Sequence, residues 1–164
     1  MKTTMIFILA TIFGLQMANA QTETVNYVVT PTDTIFCGKM HVGAMNLKFE
    51  QANGEKHKIS LDEVVRYSNN GSIHQRKPVY KNGEKSGKSR LMKLVRCHNH
   101  VRVYKDEYYN GVKECLDAKF YFYEKGTCVN IMRNPGADQI MAFTQNRGEA
   151  NNPGSSQEKQ LANQ

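Results

Sequence analysis

The chain has 164 residues, 40% of them hydrophobic, and a formal charge of +7. That is one domain's worth of sequence, enough to bury a core without disulfide or metal staples. Its apolar N-terminal stretch, Met5 to Leu15, spans 11 residues, too few for a membrane-spanning helix, which needs about 20.

The first twenty residues carry the parts of a secretory signal peptide in order: basic Lys2, the apolar stretch, and Ala18-Asn19-Ala20 before Gln21. They predict export to the periplasm, cell surface or medium, with a mature chain from Gln21. No transmembrane anchor is expected in that chain, and no cysteine lies near residue 21 to carry a lipid. Cys37, Cys97, Cys115 and Cys128 all fall in the mature part, where an oxidising compartment could pair them in three complete ways.

From Thr24 onward, short segments rich in β-branched and aromatic residues alternate with turn signals, which predicts antiparallel strands. Val25–Thr30 and Thr34–Val42 flank the turn Pro31-Thr32-Asp33. Leu47–Gln51 and Glu55–Ile59 flank Asn53-Gly54, and a three-residue loop with Gly54 in the left-handed region pairs Leu47 with Ile59. Ser60-Leu61-Asp62-Glu63 has the form of a capping box and predicts a short helical turn.

Arg76 to Arg96 holds eight basic residues against the single acid Glu84. With Lys2 removed, the rest of the mature chain sums to −1, so attraction to an anionic partner is expected to be local to this segment. Its glycines, serines and Pro78 predict a mobile loop from Arg76 to Ser89 feeding charge into the next strand.

Three two-residue turns can be placed downstream, at His98-Asn99, Asn110-Gly111 and Lys125-Gly126. They set Leu94 opposite Val103, Val103 opposite Ala118, and Phe122 opposite Val129. All three put Met92, Leu94, Val101, Val103, Ala118, Phe120, Phe122, Val129 and Ile131 on one face, since a one-residue slip would move every side chain across the sheet. The other face carries His100, Arg102, Tyr104, Tyr121 and Tyr123. In these registers Cys115 faces Asp106, far from Cys97 and Cys128, which leaves Cys37 as the favoured partner in any bridge. Free thiols fit equally. The tail from residue 144 to 164 is poor in large apolar residues and is expected to be disordered. The domain organisation is therefore a signal peptide at 1–20, one domain at 21–143 and that tail. The fold class is mainly β, an antiparallel meander forming a sandwich or half-barrel with at most one or two short helical turns.

Tyr27-Val28-Val29-Thr30 leading into Asp33-Thr34-Ile35-Phe36-Cys37-Gly38-Lys39, with Leu91-Met92-Lys93-Leu94-Val95 before Val101-Arg102-Val103-Tyr104, resembles small exported β-rich proteins of unknown function from Bacteroidota. The resemblance covers about residues 25–131. It implies an envelope module with no established activity and supplies no catalytic residues. Cys97-His98-Asn99-His100 stands where that pattern has a Gly-containing turn.

Cys97 and His100 are the candidate metal ligands, because thiolate and imidazole suit zinc or copper. The same pair could serve thiol or hydrolase chemistry. Gly83-Glu84-Lys85-Ser86-Gly87-Lys88-Ser89 is not a phosphate-binding loop, having three rather than four residues between its glycines. There is no Gly-x-Ser-x-Gly elbow and no His-Glu-x-x-His helix. Asn70-Gly71-Ser72 fits a glycosylation sequon, and Asp33-Thr34-Ile35 resembles a short O-glycosylation motif. These readings converge on an exported, non-catalytic binding module without a cofactor. Its expected partners are anionic glycans or lipid headgroups rather than nucleic acid, met by Arg76, Lys77, Lys81, Lys85, Lys88, Arg102, Tyr104, Tyr121 and Tyr123. The oligomeric state is left open.

Overall fold

The structure is a computed structural model that describes residues 24–81 and 83–150. The signal-peptide reading and residues 151–164 lie outside the described residues. Among the described residues eleven strands form two antiparallel sheets, which places the chain in the mainly β class. They are β1 (Asn26–Val29), β2 (Thr34–Cys37), β3 (Lys39–Val42), β4 (Asn46–Glu50), β5 (Lys56–Ser60), β6 (Arg66–Asn69), β7 (Ser72–Lys81), β8 (Glu84–His98), β9 (Val101–Asn110), β10 (Cys115–Glu124) and β11 (Thr127–Arg133). The large sheet has the order β11-β10-β9-β8-β7-β6-β1-β2, and the small one β3-β4-β5. Neither closes into a barrel, and no helix among the described residues is long and apolar enough to cross a membrane.

The expected strand Thr34–Val42 divides at Gly38, where the chain leaves the large sheet for the small one. Asn26 fixes this corner: its Nδ2 donates to the Gly38 carbonyl at 2.8 Å, and its Oδ1 accepts from the Asn70 N–H at 2.8 Å. In the small sheet Leu47 lies opposite Ile59, and Gly54 takes φ 84°, as the three-residue loop requires. The capping reading also holds, since Ser60 Oγ accepts from the Asp62 N–H and a 3-10 turn spans Leu61–Glu63.

The basic segment is not a mobile loop. Arg76 to Ser89 lies in the hairpin β7–β8, which turns at Gly83 (φ 86°) and bulges between Pro78 and Tyr80. A bulge bends a strand and deepens its twist, and this hairpin reaches back over the face formed by β9–β11. Tyr123 Oη donates to the Pro78 carbonyl at 3.3 Å across 45 positions of sequence. Val79 and Tyr80 pack against Met92, Tyr104, Tyr121 and Tyr123.

Two of the three downstream turns differ from expectation. The first is Asn99-His100, at φ 47° and 67°, so Cys97 faces Arg102, and a bulge between Leu94 and Arg96 then sets Leu94 opposite Tyr104. Asparagine tolerates the left-handed conformation better than histidine, which draws it into the first turn position. Asn110 stays in β9, because its side chain accepts from the Val112 and Lys113 N–H groups and widens the loop to Gly111–Glu114. Val103 then faces Phe122, and Cys115 faces Asn110 rather than Asp106. Lys125-Gly126 is the expected turn, but a bulge after it sets Phe122 opposite Asn130 in place of Val129.

These shifts divide the expected single face in two. Val101, Val103, Phe120, Phe122 and Val129 remain together, covered by Ile140 and Phe143. Met92, Leu94 and Ile131 join the tyrosines on the opposite side. The cover on the first side is α1 (Ala137–Ala150), a helix that the sequence reading did not foresee and that runs beyond the Phe143 domain boundary with Thr144 fully buried. A third cluster, around Val28, Leu47, Phe49, Val64 and Tyr67, joins the small sheet to the N-terminal strands. All four cysteines are free thiols, and Cys37 is enclosed in that third cluster without a bridge partner.

Asp117 ties the far end of the sheet together. The buried carboxylate accepts from Asn110 Nδ2 at 2.6 Å, from Asn134 Nδ2 at 2.8 Å and from Arg133. Those donors hold its carboxyl far below the usual range. The folded carboxyl binds its proton less readily than the unfolded one. Its stabilising contribution is therefore complete above the unfolded pKa of about 3.9 and is lost as pH falls through the lower folded value. Asp117→Asn is expected to lower the unfolding midpoint at pH 7 and to flatten the acid limb of stability against pH. An acid limb identical to wild type would show that the network carries no such linkage.

Candidate functional site

Where the β7–β8 hairpin overhangs the sheet, a cavity of about 650 Å³ opens between Lys77, Cys97, His100, Arg102, Tyr123 and the β10–β11 turn Glu124-Lys125-Gly126. Lys77 reaches it because the Pro78 bulge brings β7 over β9 and β10. Its ammonium sits 4.7 Å from the centroid of the Tyr104 ring and 4.8 Å from that of Tyr123, within cation–π range of both. The two rings meet edge to face at 5.6 Å. Tyr104 Oη donates to Gln75 Oε1 at 2.6 Å, which fixes the ring beneath the lysine.

Burial, and then the nearby Arg102 charge, lower the Lys77 pKa. Burial raises that of Tyr123, with smaller contributions from Cys128 and the neighbouring tyrosines. The phenol therefore remains a hydrogen-bond donor, and Lys77 and Arg102 line one cavity together with Glu124. Glu124 accepts from Arg147 at 2.8 Å and so ties the cavity wall to α1. Burial also raises the Cys128 thiol, which disfavours a thiolate there.

Of the residues expected to bind a ligand, Lys77, Arg102 and Tyr123 line this cavity and Tyr104 supports it. Arg76 has a different role: its Nε donates to the Val64 carbonyl at 2.9 Å and its Nη2 to that of Leu61. Lys81, Lys85 and Lys88 are exposed on the hairpin and lie outside the cavity lining. Tyr121 is fully buried, and its hydroxyl, without a hydrogen-bond partner, borders a separate cavity of about 240 Å³ with Arg90 and Asp106. Cys97 and His100 do share the main cavity. They do so across a turn rather than as a facing pair, and no cluster of three metal-ligating side chains occurs among the described residues. The Lys125-Gly126 contribution was missed, although that dipeptide marks a turn in the sequence. Comparison with known proteins finds no matching family model, curated protein or solved structure.

His100 occupies a left-handed position, φ 67°, at the second place of a two-residue turn where glycine is the ordinary choice. The left-handed conformation costs a non-glycine residue roughly 1–2 kcal/mol, and strain of this kind gathers at functional positions. His100→Gly should raise stability by about 1 kcal/mol, read from chemical denaturation, while removing the imidazole from the cavity. A loss of stability would instead show that the imidazole holds the turn.

Proposed function

We propose that the protein is an exported, non-catalytic binding module whose cavity takes an anionic ligand. The observation that carries this reading is the placement of Lys77 and Arg102 at one cavity beside the Tyr123 ring. The Arg102 charge adds to burial in lowering the affinity of Lys77 for its proton, and a bound carboxylate or phosphate would relieve that repulsion. Tyr123 adds an aromatic edge and a polar tip, which suits an acidic sugar or a phosphorylated headgroup. The shared chemistry is an anionic oxygen, and the two sources separate by experiment.

Isothermal titration of the mature protein with oligomers of glucuronate and, in parallel, with glycerophosphate is expected to show binding to at least one. Affinity should fall with added salt and with alkaline pH as Lys77 loses its proton. Lys77→Gln and Arg102→Gln should each cost about ten-fold or more, the weight of a charge-assisted hydrogen bond. Heats that persist unchanged in both variants, or a complete absence of binding at low salt, would sink the reading.

Cys97 and His100 on the same cavity support a second reading, a metal-holding or thiol-enzyme site. Stoichiometric zinc lost in His100→Ala, or turnover lost in Cys97→Ala, would favour it.

A further inference from the structure

A second cationic surface stands on the small sheet, separate from the cavity. Side chains alternate across a strand. β3, β4 and β5 accordingly bury Leu47 and Phe49 and turn Lys39, His41, Lys48, Lys56 and Lys58 outward, all exposed, with Glu50 among them. The register arranges them in two rows, Lys39–Glu50–Lys56 and His41–Lys48–Lys58. The first row alternates in sign. The second places Lys48 directly opposite Lys58, a pairing that destabilises a sheet. These residues wall a shallow depression of about 400 Å³, and no residue of the large sheet contributes to it. None of the four lysines makes an ion pair among the described residues.

We propose that this outer face is a docking surface for an anionic lipid bilayer. Neighbouring strands lie about 4.8 Å apart and alternate residues about 6.7 Å along a strand, so the cations form a flat array rather than a pocket around one group. Lysine ammonium groups on flexible stems act as point charges, suited to a diffuse anionic plane. The rows themselves carry no Tyr, Phe or Trp on which a sugar ring could stack; Phe49 and His57, which also line the depression, are of the opposite parity, and their rings are stacked on each other. At the end of the same sheet the β3–β4 turn exposes Met45 at 76%, an apolar side chain placed to enter the headgroup region alongside the charges.

The test is co-sedimentation of the full chain with vesicles of phosphatidylglycerol and phosphatidylcholine, 1:1, and of phosphatidylcholine alone. The ratio of the two partition coefficients cancels the apolar contribution of the N-terminal stretch, and the charge contribution of its Lys2 is the same in every variant compared. That ratio should be well above one and fall with salt. It should drop about five-fold for each lysine neutralised, hence about 25-fold in Lys48→Gln/Lys58→Gln. Lys48→Gln/Lys58→Gln should still bind soluble glucuronate oligomers and glycerophosphate as wild type does, because neither lysine lines the cavity, so failure here and failure of the cavity reading are distinguishable. The Lys48/Lys58 variant should melt no lower than wild type, because it removes a repulsion. A ratio near one, a ratio insensitive to those lysines, or binding to soluble alginate in preference to vesicles would overturn the proposal.

Discussion

A β-bulge inserts one unpaired residue, and from that point every side chain on the bulged strand changes face. Among its described residues the large sheet has two register breaks of this kind, near Leu94–Arg96 and Phe122–Tyr123, and a third near Pro78–Tyr80 that is a two-residue shift, one residue of β7 opposing three of β8. Together they let one sheet be apolar on both sides at its C-terminal end. Val101, Val103 and Phe122 are covered by α1, while Met92, Tyr104, Tyr121 and Tyr123 are covered by the tip of the sheet's own β7–β8 hairpin. Without the Pro78 bulge the hairpin would continue in plane, Tyr123 would lose its carbonyl partner, and Lys77 would not reach the rings. The cavity is thus formed where the hairpin folds over the sheet, and the tight turns that carry His100 and Lys125-Gly126 complete its lining.

Those breaks also explain what the sequence could and could not disclose. The antiparallel class, the Leu47–Ile59 register and the Lys125-Gly126 turn follow from local rules, and so does the group Val101, Val103, Phe120, Phe122 and Val129. Met92, Leu94 and Ile131 went to the wrong face because alternation carries no mark where a bulge resets it. Asn70-Gly71, at φ 47° and 76°, makes the β6–β7 hairpin, a strong turn signal that reads equally as part of a glycosylation sequon. The helix was hidden for another reason: Ile140 and Phe143 are too few to give a clear period, and α1 depends on the sheet face that receives them.

The site was legible in its residue types more than in its assembly. Lys77 was visible only as one cation in a basic run, and Arg102 and Tyr123 only as members of a polar face. Nothing local indicates that Lys77 alone of the hairpin's lysines turns inward onto two rings. Charge counted along the chain misleads in the opposite sense for the small sheet. Between Lys39 and Lys58 the lysines are interspersed with Glu50 and Glu55, so no run stands out and the surroundings of the Arg76–Arg96 segment sum to nearly zero. Projection onto the pleat collects them, because Lys39, Lys48, Lys56 and Lys58 share the parity that faces solvent.

Two local rules are broken at His100 and at Lys48–Lys58, as they also are at Glu114 and at Lys93–Lys105, and the costs differ in kind. At His100 the cost lies in the backbone, a left-handed residue with a Cβ, and glycine would remove it. At Lys48 and Lys58 it lies between side chains, like charges held opposite one another across a ladder, and a single acidic substitution would remove it. Neither cost supports the core, since the buried clusters are built from other residues. A sequence in which propensity, pattern and electrostatics agree almost everywhere departs from them where something besides folding sets the residue. The departures at His100 and at Lys48–Lys58 fall on surfaces that concentrate positive charge, one at an aromatic-lined cavity and the other on an open plane. That shared sign, reached through unrelated elements, links the two proposed contacts: a protein that meets an anionic surface with its small sheet would present its cavity to ligands found at that surface.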